Sequence, residues 1–599
     1  MVERPTTPPP LQGPTAKEKK YDRQLRLWAA SGQQALEDAK VLLLNSGPGV
    51  VGVETLKNLI LPGVGDYTIV DEVDVAEKDL GVNFFLEESS LGKSRAEETC
   101  KFLQELNPEV RGHAIQKVDI LTSVFCMDTD LSSQSMEAFV EKPTILDNYS
   151  LIILIGPTKA SGLLENISQY AWKSSIPLFY VHCVGFFSHF SVQLPAQFPI
   201  IDTHPDPAST QDLRLLNPWP ELLIFMREKV GNLPWLSDHE HGHVPYLLLL
   251  LHFLIVWKAT RNGKPPANYS EKKELAAMVA AGARTNNAEG GEENFDEATA
   301  NVLKSLNPPS ISSGLKEVFD VDDCMNLKKD SANFWIIAHA IEKFHTAHKG
   351  LLPLPGALPD MKAQSSDYIK IQNIYKAKAR SDVAEVTATV RQSEKDLDRR
   401  TPIEDKEIEA FCRGAQFVRL IKGRPLRVAK STELLDWSDR AEALSMELEN
   451  QKMMGLDSLL PIYFAFLALD RHNDEISRLE QSRREPNPLK DIPGARAVSG
   501  AVFPLPKFAE SAHFYTPAVD PEKDPKPWPR FETPEARETF DNVVKELDRA
   551  DGAELHNIAA LTGGMVAQEV IKVITKQYVP VDNTCVFDGI ASKTAVFNI

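Results

Sequence analysis

The chain has 599 residues, with 84 Asp and Glu against 66 Lys and Arg, for a net charge of −18. That length predicts about four ordinary domains and excludes a small stapled scaffold, since a chain of this size buries most of its unfolded surface. The acidic balance argues against a nucleic-acid-binding body, whose phosphate contacts need clustered cations. Six cysteines (Cys100, Cys126, Cys183, Cys324, Cys412 and Cys585) are scattered without a C-x-x-C pair, so neither a disulfide framework nor a zinc ribbon is expected.

In chain order, residues 1–16 read as a disordered, proline-rich arm without an apolar signal core, and a cytoplasmic or nuclear location is expected. Lys17–Ala39 is charged and helix-prone. Val41–Leu44 has the length and bulk of a buried parallel strand. A glycine-rich turn follows, and Val53, Leu56 and Ile60 then recur at helical spacing. Gly63 and Gly65 end that helix, and Tyr67–Val70 reads as a second strand closed by Asp71. This order is a βαβ unit, and its unbroken apolar strands predict a doubly wound α/β sheet covered on both faces. Leu151–Ile155 and Leu178–Val184 read as later strands, and Ser191–Leu194 as another.

From about residue 205 the texture becomes helical, in Lys272–Ala283, Phe334–Phe344, Tyr368–Val390 and Glu404–Phe417. Tyr246–Trp257 is an apolar run interrupted by His252; it is shorter than the roughly 20 residues of a membrane span and predicts a buried helix. Ala288–Glu297 reads as a solvated acidic loop. Glu485–Pro493 and Val502–Pro534, the latter with eight prolines, read as linkers. An amphipathic helix carrying Val566, Val570, Val573 and Ile574 and a strand at Thr584–Phe587 close the chain. The expected organisation is an arm (1–16), a first α/β part (17–204), a large, mostly helical insertion (205–534) and a second α/β part (535–599).

Gly47-Pro48-Gly49-Val50-Val51-Gly52 matches G-x-G-x-x-G after a strand, and Asp71 stands 19 residues past Gly52, near the spacing of a ribose-binding acid. Nucleotide binding there needs free N–H groups at a helix N-terminus and no obstructing side chains. Pro48 removes a donor and Val50 adds a β-branched side chain. Gly47, Gly49 and Gly52 therefore read as serving the tight turn and helix packing, and no cofactor is expected on this chain. His239, His241 and His243 alternate before Pro245 and read as a solvated loop rather than a metal site.

Five segments together identify a family: Tyr21-Asp22-Arg23-Gln24-Leu25-Arg26-Leu27-Trp28, the glycine loop, Leu59–Gly65, Asn83-Phe84-Phe85-Leu86 and Leu91–Glu97. With Glu554–Ala560 and Gly563–Lys572 they resemble the split, Rossmann-like adenylation fold of ubiquitin-like-modifier activating enzymes. Pro359-Asp360-Met361, Tyr368–Tyr375 and the overall length are similar to the regulatory branch serving neddylation (the amyloid-precursor-binding or auxin-resistance type). Active members carry an Asn-x-Asn-Arg-Gln stretch, a magnesium-binding Asp and a nucleophilic thiol. Here the corresponding stretches read Asp79-Leu80-Gly81-Val82-Asn83 and Gly156-Pro157-Thr158-Lys159, and no cysteine has the nucleophile's setting.

The resemblance implies a subunit that is not catalytic alone. Its partner would hold ATP, magnesium and the cysteine, adenylate the C-terminus of the modifier Nedd/Rub and take it as a thioester. Arg23 would reach the partner's ATP in trans, with Arg26 structural; on residue logic alone, Arg23 is also readable as an exposed surface arginine. Neither nucleic acid nor membrane is expected as a partner. Four other readings compete: a dinucleotide-dependent oxidoreductase, a regulatory subunit for a different ubiquitin-like modifier, a self-sufficient activating enzyme and a pure scaffold.

Overall fold

The computed structural model describes residues 13–116, 141–158, 162–202, 211–286, 291–429, 457–484 and 534–599, with a few isolated positions between them. Cys126, Lys159, most of the N-terminal arm, the linker Glu485–Pro493 and all but the last residue of Val502–Pro534 lie outside the described residues. The chain folds as two compact units, Met1–Phe198 with Ile421–Ile599, and Pro199–Leu420.

The first unit is built on an eight-stranded sheet. Its strands come from β1 (Lys40–Asn45), β2 (Asp66–Val70), β3 (Arg111–Ile115), β4 (Leu151–Ile155), β5 (Leu178–Val184) and β6 (Phe187–Gln193), and from the C-terminal pair β9 (Thr584–Asp588) and β10 (Lys593–Phe597). The remaining strands, β7 (Phe198–Ile201) and β8 (Val418–Ile421), pair with each other, and the large sheet runs β10-β9-β6-β5-β4-β1-β2-β3. Strands β3, β2, β1, β4 and β5 are mutually parallel, and β6, β9 and β10 add antiparallel pairs. The sheet is therefore mixed rather than wholly parallel. Ser191–Leu194 belongs to the longer strand β6, which returns directly from β5 through Gly185, a residue at φ 54°.

Val41–Leu44 and Leu151–Ile155 are buried, as expected of parallel strands covered on both faces. The helix Val50–Ile60 covers one face beside the C-terminal helix His556–Thr575. That C-terminal helix has the length and hydropathy of a membrane span. It is instead a core helix, since Val566, Val570 and Val573 are buried. The close crossing is set by Gly563, where an added Cβ would stand 2.9 Å from Glu54 Cβ and from the Thr55 nitrogen.

The helical insertion, expected over 205–534, is a compact unit over 199–420. The helix Leu460–Arg484 folds with the α/β unit because Ile462, Tyr463, Phe466 and Leu467 share a core with Val184, Phe187 and Val586 of the sheet. Phe540, Val543, Val544 and Leu547 of the helix Pro534–Ala550 join the same core.

The second unit has two cores. Leu247–Leu251 and Trp257 of Tyr246–Thr260 pack with Phe225, Leu275 and Phe295 in one, and Ile336, Ile341, Phe411 and Val418 pack in the other. The 32-residue helix Ser365–Asp396, about 48 Å long at 1.5 Å per residue, serves both, through Ile371 and Tyr375 at one end and Val386 and Val390 at the other.

Two loop expectations are corrected here. Ser237 caps a one-turn helix at Asp238–His241, so the histidine segment is not a plain loop. His241 is buried, stacks on Phe295 with ring centroids 5.0 Å apart, and meets Glu292 Oε1 through Nδ1 at 2.8 Å. Ala288–Glu297 is not wholly solvated either: Glu292 is buried, and Glu293 starts a helix running to Ser305. In both places a ring stacked in the core, with its hydrogen-bond partner, holds a segment whose polar composition alone reads as loop.

Candidate functional site

The glycine turn joins β1 to the helix Val50–Ile60. Gly49 sits at φ 86°, a left-handed conformation that favours glycine. A Cβ on Gly47 would meet the Gly156 carbonyl oxygen at 2.5 Å, and one on Gly52 would meet Leu43 and Ile155 at 2.9 and 3.0 Å. All three glycines thus have a conformational or packing cause.

The free N–H groups of the turn are already engaged. The Gly49 N–H donates to Glu554 Oε1 at 3.2 Å, and the Val51 N–H to Glu554 Oε2 at 2.7 Å. Glu554 is buried two residues before the C-terminal helix, and the neighbouring Ala553 carbonyl accepts the Gly185 N–H at 2.9 Å. A helix N-terminus carries partial positive charge and bare N–H groups, which is why it receives phosphates. Here an internal carboxylate takes that place. Burial pushes Glu554 up to about 7, against the lowering effect of its backbone hydrogen bonds.

Asp71 is likewise committed. Its carboxylate accepts from Arg95 Nε at 2.6 Å, Arg95 Nη2 at 3.1 Å, Asn45 Nδ2 at 2.6 Å and the Val73 N–H at 3.1 Å. Arg95 Nη1 also reaches Asp79 at 3.3 Å, and Nη2 donates to the Gly47 carbonyl at 2.8 Å. All three charged side chains are buried. Burial lowers Arg95, but the charges and hydrogen bonds of Asp71 and Asp79 more than offset this and hold the guanidinium charged. Beside the loop, the Phe84 ring stacks on His556 at 3.7 Å, and His556 Nε2 lies 3.2 Å from Glu54 Oε1.

These residues do not fit a bound nucleotide. The N–H groups that would hold phosphate are bonded to Glu554, the acid that would take the ribose is forked by Arg95, and Gly47 abuts the β4 turn. Sequence reasoning missed both Glu554 and Arg95 as site residues, although both lie in segments that carry the resemblance. For Glu554 the available signal was an ionisable residue two positions before an apolar helix.

Arg23 lies in the first turn of the helix Asp22–Asp38, exposed to solvent. Tyr21 anchors that helix: it is buried, its hydroxyl accepts from Asn107 Nδ2 at 3.1 Å and donates to Glu109 Oε2 at 3.3 Å. Arg26 pairs with Asp22 at 3.0 Å on the exposed face. The helix is kinked at Trp28 and Ala29, where Trp28 Nε1 donates to Gln33 Oε1 at 3.1 Å. Arg23 is thus exposed, whereas the Gly49 and Val51 N–H groups of the glycine loop are already bonded.

The five described cysteines are buried. Burial raises Cys183 well above the ordinary thiol value and pushes Cys324, Cys412 and Cys585 up to about 12. A reactive cysteine needs the opposite environment, accessible and electropositive. Cys183 lies within β5 as a packing residue.

A family model described as "ThiF family" matches residues 21–598. The chain is 32% identical to the "NEDD8-activating enzyme E1 regulatory subunit" of Xenopus laevis, over 97% of this chain and 99% of that protein. It is 32% identical to the "Nedd8-activating enzyme E1 regulatory subunit" of Drosophila melanogaster, over 97% and 98%. It is 30% identical to the "NEDD8-activating enzyme E1 regulatory subunit AXR1" of Arabidopsis thaliana, over 97% and 96%.

Proposed function

This chain belongs to the ThiF family and, within it, to the NEDD8-activating enzyme E1 regulatory subunits, and we propose that it serves a heterodimer as the subunit that does not itself turn over nucleotide. In this reading the catalytic partner binds ATP and magnesium, adenylates the C-terminal carboxylate of the ubiquitin-like modifier NEDD8, and takes the modifier onto its own cysteine. This chain supplies the pairing surface, a helical surface for the modifier, and Arg23 to the partner's ATP. The pair acts in cytoplasm and nucleus.

One observation carries the reading: the Glu554 carboxylate bonded to the N–H groups of Gly49 and Val51. It supports a chain that keeps the adenylation scaffold while filling the phosphate position from within. The same contact counts against a dinucleotide-dependent oxidoreductase, which needs those N–H groups for pyrophosphate and Asp71 for ribose. The test is ATP-dependent formation of a modifier thioester by this chain alone, by a cysteine-bearing catalytic subunit alone, and by both together. Thioester that forms efficiently only in the mixture, on the catalytic subunit's cysteine, is the expected result. Adenylate or thioester formed by this chain alone would overturn the reading.

A further inference from the structure

Away from the glycine loop, the α/β unit gathers three metal-ligating side chains. His182 of β5 and His189 of β6 are direct cross-strand partners in the antiparallel register, so their side chains share one face of the sheet. Asp470 arrives from the helix Leu460–Arg484, with Oδ1 3.1 Å from His182 Nδ1. One ligand atom from each residue lies within 4.8 Å of the other two. The two imidazole centroids are 6.1 Å apart.

The histidines are 0% and 2% exposed. Among the described residues nothing hydrogen-bonds to either ring nitrogen of His189 or to His182 Nε2. Buried polar groups are nearly always satisfied, and an orphaned set calls for an unseen partner. The ring of His189 makes edge contacts with those of Tyr463 and Phe466, at 5.4 and 4.9 Å between centroids. Tyr180 Oη donates to Asp470 Oδ1 at 2.8 Å, the kind of outer bond that fixes a ligating carboxylate. A cavity of about 10 Å³ borders His189 and Asp470, close to the space one water occupies.

We propose that His182, His189 and Asp470 hold a divalent transition-metal ion, zinc, as a structural tie between the helix Leu460–Arg484 and the antiparallel half of the sheet. Two imidazoles and a carboxylate are the ligands of zinc and its neighbours, whereas magnesium and calcium select all-oxygen sites. A water in the adjoining cavity completes the tetrahedron. This site performs no step of modifier activation.

The test is metal analysis of the purified full-length chain by mass spectrometry, with cobalt(II) reconstitution as an optical probe. Stoichiometric zinc is expected, lost about tenfold or more in His189→Gln and in Asp470→Asn, with tetrahedral d–d bands on cobalt loading of the wild type. A metal-free wild-type chain that gives no cobalt bands overturns the proposal. So does zinc content unchanged in both substitutions. Because the cobalt reading uses the wild-type chain, it decides the matter even if a substituted chain fails to fold.

Discussion

The Glu554 carboxylate caps the N–H groups of Gly49 and Val51 across 505 and 503 positions of sequence, at 3.2 and 2.7 Å. It joins the second α/β segment to the first at the point where a nucleotide-binding relative of this fold would hold phosphate.

The first prediction concerns pH. Burial raises Glu554 from 4.5 to about 7 in the folded chain, so between those values the folded state holds a proton that the unfolded state has released. Its contribution is fully present below about pH 4.5 and is lost as pH rises through about 7, with a total on the order of 3 kcal/mol. Glu554→Gln keeps the shape and one acceptor but does not titrate. Its melting temperature should vary less between pH 5 and 7 than that of the wild type; identical slopes would remove Glu554 as the source.

The second concerns Arg95. Arg95→Met leaves Asp71 and Asp79 buried without their cation, and removing one member of a buried charge cluster costs about 3–5 kcal/mol. Urea denaturation should show a loss of that size. Arg95→Lys should recover only part of it, since an ammonium cannot fork Asp71 and reach Gly47 together. A neutral result for Arg95→Met would mean that the cluster is not coupled as the distances indicate.

The third contrasts two adjacent glycines. Gly563→Ala forces a Cβ against Glu54 and Thr55 at 2.9 Å, whereas Gly564 has nothing within 4 Å of its Cβ position. The first substitution should destabilise by about 1–3 kcal/mol through overpacking. Gly564→Ala should stabilise by about 0.5–1 kcal/mol, because alanine loses less backbone entropy in a helix. Thermal melts of the two variants with opposite signs are the expected outcome.

The fourth addresses Arg23. In the proposed heterodimer Arg23→Ala should slow ATP–pyrophosphate exchange by at least tenfold, where an arginine acting in trans on a transferring phosphoryl group is worth about 10³–10⁵. Association measured by sedimentation should not change. Unaltered exchange would remove Arg23 from the mechanism and favour a scaffold.

Much of the fold was legible in local pattern. The runs Val41–Leu44 and Leu151–Ile155 announced buried strands because a strand covered on both faces must be apolar at every position. The 3.6-residue spacing of Val53, Leu56 and Ile60 announced the loop helix, although Glu54 and Thr55 are buried as well, so its nearly complete burial was not legible in that spacing. The histidine segment and the start of Glu293–Ser305 were not legible, since their order comes from His241 stacking on Phe295 and pairing with Glu292.

By itself, then, the sequence determined the types of the strongly patterned elements, the βαβ beginning and the compromised character of the turn, all of which are short-range properties of neighbouring residues. Tertiary structure alone decided what fills the turn, which strands run antiparallel, and that Leu460–Arg484 belongs to the sheet's core rather than to the helical unit. Those outcomes rest on contacts between residues hundreds of positions apart, such as Glu554 with Val51 and Asp470 with His182. Neither propensity nor periodicity encodes such pairings; they form only when burial of the two apolar faces brings the segments together.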